Sequence, residues 1–95
     1  MNLEFTASGA FRDRVGARKD LLEAVKSALR LKPQGMAIGT TRYHYEKVPF
    51  EGKELAVIFR RTLNRIGLYQ IYLLPDERHL FESRIERIVK EEPHD

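Results

Sequence analysis

The 95-residue sequence has no cysteine and no tryptophan. Without cysteine there is no disulfide framework and no thiolate chemistry, and a reducing compartment such as the cytoplasm suits the chain. The three histidines, His44, His79 and His94, lie far apart and share no zinc-type spacing with carboxylates, so no metal set is expected. Ser8, Ser27 and Ser83 sit in no nucleophile elbow. The six glycines are scattered and not gathered into a phosphate-cradling loop, which sets aside P-loop and dinucleotide functions and leaves no cofactor expected. No apolar run nears the roughly 20 residues needed to cross a bilayer. Met1 to Phe5 has neither the basic flank nor the apolar stretch of a signal peptide. A soluble, cytoplasmic protein away from membranes is the expectation.

Hydrophobic residues make up 42% and charged residues 33%, which is a globular composition with material for one modest core. Residues 1–95 are therefore read as a single domain. The net charge of +3 is unevenly spread: residues 1–75 hold 13 Lys/Arg against 7 Asp/Glu, and residues 76–95 hold 4 against 7. A basic body with an acidic last segment points to a polyanionic partner, although a well-solvated surface accounts for the same numbers.

The stretch that organises the chain is Lys53 to Leu74. Leu55-Ala56-Val57-Ile58-Phe59 and Ile66 to Leu74 are two apolar runs of β-favouring residues without polar alternation, so both faces of these strands are expected to be covered. They read as the arms of a central hairpin. Leu63-Asn64-Arg65 connects them, with Asn64 suited to positive φ, and Gly67 marks a bulge or a close backbone approach.

Around this hairpin, Asn2 to Thr6 reads as a short strand. Ala7 to Ala17 is ambiguous, with Ser8 able to cap a helical turn that Gly16 would stop. Leu21, Leu22, Val25, Ala28 and Leu29 form a helical stripe closed by Pro33 and Gly35. Met36 to Val48 is expected to be a strand near an edge, and Pro49-Phe50-Glu51-Gly52 to turn into the hairpin. Asp76 is the expected cap of a last helix carrying Leu80, Phe81, Ile85, Ile88 and Val89, followed by a frayed tail at 91–95. The fold class is thus α+β, in the order β-α-β-β-β-α: a largely antiparallel sheet of three to four strands packed against two helices.

Two clusters can carry function. Arg60, Arg61 and Arg65 stand at the hairpin tip, and three guanidiniums near one turn repel one another unless an anion or carboxylates neutralise them. Glu51 and Glu54 belong to the other end of the hairpin, roughly 20 Å away, and cannot do so. Arg42-Tyr43-His44-Tyr45 interleaves cations with aromatics, a pattern that stacks bases and holds phosphates on sheets. On a strand these four alternate between faces, so one site using all of them has to wrap an edge; otherwise the tyrosines cap the core with their hydroxyls in water. Arg78, Arg84 and Arg87, interleaved with Glu77, Glu82 and Glu86, read as a solvated helix face.

Leu3-Glu4-Phe5-Thr6 looks like the first strand of the RelE/ParE superfamily of bacterial toxins, Phe11 with the Leu21 to Leu31 stripe looks like its helical pair, and Lys53 onward resembles its basic antiparallel sheet. The resemblance covers most of the chain. It implies a metal-independent ribonuclease in which Lys53, Arg60, Arg61 and Arg65 hold the RNA backbone and stabilise the phosphorane. Tyr69 or His44 would then transfer the proton, and Arg61, Arg65 and Tyr69 would form the catalytic set. RNA is placed ahead of DNA as the partner. Two other readings stand beside it. One is nucleic-acid binding without chemistry. The other is a docking protein of phage or mobile-element type that blocks a larger protein through an edge strand or the acidic last helix, an edge strand also allowing a homodimer.

Overall fold

The central hairpin is present as expected. A computed structural model describes residues 3–91, in which β4 (Lys53–Arg61) and β5 (Arg65–Leu74) pair antiparallel in the middle of a five-stranded sheet. Leu55 through Phe59 are all buried, because each face of the sheet carries its own cover. The remaining elements are β1 (Glu4–Ala7), α1 (Gly9–Val15), α2 (Lys19–Leu31), β2 (Met36–Ala37), β3 (Tyr43–Phe50) and α3 (Arg78–Lys90). Strand order is β1-β5-β4-β3-β2, antiparallel except for the parallel β1–β5 pair.

Alternate residues of the central strands feed two cores. Leu55, Val57, Phe59, Ile66, Leu68 and Ile71 meet Phe11, Val25 and Leu29 of α1 and α2 on one face. Ala56, Ile58, Tyr72 and Leu74 meet Phe81 and Ile88 of α3 on the other. A strict period of two would put Ile66 and Ile71 on opposite faces. A bulge restores them to one face: Ile58 pairs with Gln70 but Phe59 pairs with Leu68, which leaves Tyr69 as the extra residue. The irregularity expected at Gly67 therefore lies two residues on. Ser8 serves it, donating its hydroxyl to the Tyr69 carbonyl (2.7 Å) while accepting the Phe11 N–H (3.1 Å) as the cap of α1.

The class is α+β as expected, but the element count is larger, with three helices and five strands among the described residues. The ambiguous segment after Ser8 forms a helix of its own, ended at Gly16 (φ 59°). The expected strand at 36–48 is broken in two. Gly39 takes φ 59°, the Thr41 hydroxyl donates to the Ile38 carbonyl (2.9 Å) and accepts the Tyr43 N–H (3.1 Å), and β2 folds back on β3. β3 then runs on through Pro49 to Phe50, and Glu51 (φ 50°) with Gly52 (φ 78°) make a two-residue turn. Asn64, in contrast, has no positive φ. Asp76 does not cap α3; the helix begins after Glu77, whose carboxylate accepts the Leu73 N–H (2.9 Å) and pairs with Arg14. The start of the expected first strand at Asn2, and the expected tail beyond Glu91 with His94, lie outside the described residues.

Candidate functional site

The β4–β5 connection spans only 62–64, so the basic ends of both strands stay side by side. β3 adds to them: its first residue, Tyr43, is the cross-strand partner of Arg60, which brings Arg42 to the same end of the sheet. Arg42, Arg60, Arg61, Thr62, Arg65 and Gly67 line a cleft of about 200 Å³. No residue of α3 lines it, so the acidic-faced closing helix leaves it open.

Four guanidiniums share this cleft, and among the described residues one carboxylate answers them. Arg65 lies 3.3 Å from Glu4 of β1, with both side chains about three-fifths exposed. A pair that exposed contributes at most about 1 kcal/mol, so an incoming anion displaces it easily. Arg42, Arg60 and Arg61 have no ion pair among the described residues. Arg60 lies over the Tyr43 ring, 4.8 Å from its centroid. Arg61 is half-buried, and its Nε has no hydrogen-bond partner among the described residues.

A second cleft, of about 260 Å³, shows the contrast. It is also basic, with Arg14, Arg18 and Lys53 among its lining residues. There every cation is matched: Arg14 to Glu77, Arg18 to Asp20 (3.1 Å) and Lys53 to Asp76 (3.2 Å). The pairs of Arg14 and Lys53 join α1 and β4 to the turn before α3. The hairpin-tip cleft alone of the two keeps unneutralised charge.

The structure separates some residues that sequence pattern placed together. Lys53 opens β4 while Arg60 and Arg61 close it, so about 25 Å of strand divides them. The Arg42–Tyr45 tetrad also splits. Arg42 enters the cleft, and Tyr43 flanks it, packed at 5.0 Å against Tyr69. Tyr45 lies under α3, edge-on to Phe81 at 5.3 Å, and its backbone is paired to β2. His44 faces the other side, stacked on Phe59 at 5.7 Å. Its pKa is held below the ordinary imidazole value by burial and, secondarily, by the charge of Arg61. Tyr69 and His44 are thus on opposite faces of the sheet. Arg84 is not purely a solvated residue either: a hydrogen bond with Tyr72 raises its pKa against the effect of burial.

Sequence reasoning missed three residues of the site: Thr62, Gly67 as its floor, and Glu4 as its counter-charge. A glycine inside an apolar strand was a visible signal for the second. Nothing local signals Glu4, which reaches Arg65 through the parallel β1–β5 register (Glu4 opposite Arg65). Among the described residues, no three His, Asp or Glu side chains gather as a metal site, and no helix is long and apolar enough to cross a membrane. No family model matches the chain, and no curated protein matches its sequence.

Proposed function

We propose that the hairpin-tip cleft binds the phosphates of a nucleic acid, with RNA ahead of DNA. The observation that carries this reading is four arginines around one open cleft with a single, exposed carboxylate partner among the described residues. Like charges held this close repel, and a phosphate that accepts bonds from several guanidiniums relieves the repulsion. Arginine's planar fork matches phosphate oxygens two at a time, which lysine's point charge does not.

The finer reading is a RelE-like, metal-independent ribonuclease toxin. In its favour, a strand (β1), a helical pair (α1, α2) and a basic antiparallel sheet (β3–β5) follow one another in the order the resemblance implies. Arg61 and Arg65 would stabilise the charge that builds on the phosphorane as the 2′-hydroxyl loses its proton and attacks, the P–O5′ bond breaks, and a 2′,3′-cyclic phosphate and a protonated 5′-hydroxyl are left. For the proton, the two candidates stand on opposite faces of the sheet, Tyr69 against Tyr43 and His44 against Phe59, and neither lines the cleft. His44 is the one next to a proposed catalytic arginine. It sits beside Arg61, where burial and that charge hold its pKa below the ordinary imidazole value.

Binding of labelled single-stranded RNA, followed over a salt series, tests the broad reading. Tight binding that falls steeply with salt and drops at least tenfold in an Arg60→Ala/Arg61→Ala variant is expected. Induced expression tests the ribonuclease: growth arrest with RNA cleavage, relieved by Arg61→Ala, is the expected result. A chain that retains no RNA and instead forms a nuclease-resistant stoichiometric complex with a host protein would reverse the assignment in favour of a docking protein.

A further inference from the structure

The floor of the cleft has a shape that phosphate binding alone does not use. Thr6, Gly67, Arg60 and Tyr43 form one cross-strand row over four strands, β1-β5-β4-β3. Arg60 therefore has a filled side and an empty side. On the β3 side the Tyr43 ring lies against its guanidinium. On the β5 side its partner is Gly67, which has no side chain. Beyond Gly67 stands Thr6, exposed, its hydroxyl 3.5 Å from where a Gly67 Cβ would lie. Two strand spacings of about 4.8 Å put the backbones of Thr6 and Arg60 roughly 10 Å apart, and the missing side chain at Gly67 leaves a gap between their side chains in the sheet surface. Arg65 and Thr62 border the same opening.

Resting on the phosphate reading above, we infer that this gap is a slot for one unpaired nucleobase, stacked on the Arg60 guanidinium that Tyr43 backs, so that the ligand is a single strand. Guanidinium planes and aromatic rings are the surfaces on which splayed-out bases stack. Tyr43 holds the Arg60 plane in place before the ligand arrives, which removes part of the ordering cost. The Thr6 hydroxyl stands beyond Gly67 in the same cross-strand row, at the edge of the cleft, where it can donate to or accept from the edge of a base that reaches past Gly67. Arg42, Arg61 and Arg65 take the flanking phosphates. A cleft of about 200 Å³ is smaller than the ~300–1,000 Å³ of sites that enclose whole drug-sized ligands, and it suits one nucleotide unit with its neighbours outside. A duplex keeps its bases stacked internally and offers this slot no free ring face.

The test compares three probes by fluorescence anisotropy: a uridine oligomer of about eight nucleotides, an abasic ribose-phosphate strand of equal length, and an RNA duplex. The uridine strand is expected to bind about tenfold tighter than the abasic strand, and the duplex no better than the abasic strand. Gly67→Val fills the slot without touching any charge. A Cβ at Gly67 meets only ordinary contacts, at 3.5 Å from the Thr6 hydroxyl and 4.0 Å from the Arg60 carbonyl, and thermal unfolding of Gly67→Ala beside Gly67→Val checks that the fold accepts the added atoms. Arg60→Lys keeps the charge at an exposed position and removes the plane. Each variant is expected to bring the uridine-to-abasic ratio close to one. Equal affinity of the unmodified protein for the uridine and abasic strands would overturn the slot and leave the phosphate cleft standing, as would a preference for the duplex. Failure to bind any of the three at low salt would overturn both readings.

Discussion

His44 shows how far one residue's behaviour depends on its surroundings. Its imidazole is stacked on Phe59 and half-buried beside Arg61, and both the burial and the neighbouring charge disfavour its protonated form. The sign of the consequence is fixed. The unfolded chain takes up the proton near the ordinary value of about 6.5, the folded chain only at lower pH, so stability is complete above that value and declines as the pH falls through it. Urea midpoints measured between about pH 7.5 and about pH 5.5 are expected to fall with pH, and His44→Leu is expected to flatten that part of the profile. Glu77 acts in a lower window. Burial pushes its pKa up, but the Leu73 N–H and Arg14 outweigh burial and hold it below the usual carboxylate value, so its contribution is lost only at acid pH.

At the scale of elements, the β5 bulge is the device that makes the fold consistent with its own sequence. It turns Ile66 and Leu68 to the same face as Ile71, and it takes the Tyr69 carbonyl out of the regular ladder. Ser8 compensates by donating to that carbonyl and capping α1 with the same oxygen. Ser8→Ala loses the cap, worth about 1 kcal/mol, and a partly buried hydrogen bond worth about 1 kcal/mol more. Denaturant titration is therefore expected to show a loss of about 2 kcal/mol, mostly restored by Ser8→Thr. The Thr40-Thr41 pair illustrates the opposite case. Threonine favours strands, yet Gly39 in the left-handed region and the two hydrogen bonds of the Thr41 hydroxyl turn the chain there. A local competition between propensity and turn chemistry decided the outcome, and the strand pattern of the flanking residues hid it.

For the molecule as a whole, the uneven charge seen in composition becomes a localised surface. Acidic residues of the last segment are used at the end of the sheet remote from the hairpin tip, where Asp76 and Glu77 hold Lys53 and Arg14. Among the described residues, Glu4 alone stands against the arginines of the tip. Each phosphate neutralised on a single strand contributes about 0.7 to the slope of log affinity against log salt. Arg61→Ala is expected to lower that slope by about this amount, whereas Glu4→Gln, which frees Arg65, is expected to raise affinity by up to about fivefold at low salt. Unchanged affinity and slope in both variants would place binding elsewhere on the surface.

The sequence by itself determined that the middle strands are covered on both faces, because an unbroken run such as Leu55 to Phe59 has no polar side to turn to water. It also determined the amphipathic stripes of α2 and α3 and offered Ser8 as a cap in a segment it left ambiguous, all of which depend on residues within a few positions of one another. Only the tertiary structure decided which cations meet. Arg42 joins Arg60 through the β3–β4 register, Glu4 reaches Arg65 across 61 residues through a parallel pairing, and Lys53 is carried to the far end of its strand. Cross-strand neighbours are set by register and strand order, which are properties of the assembled sheet and are written in no local stretch of the chain.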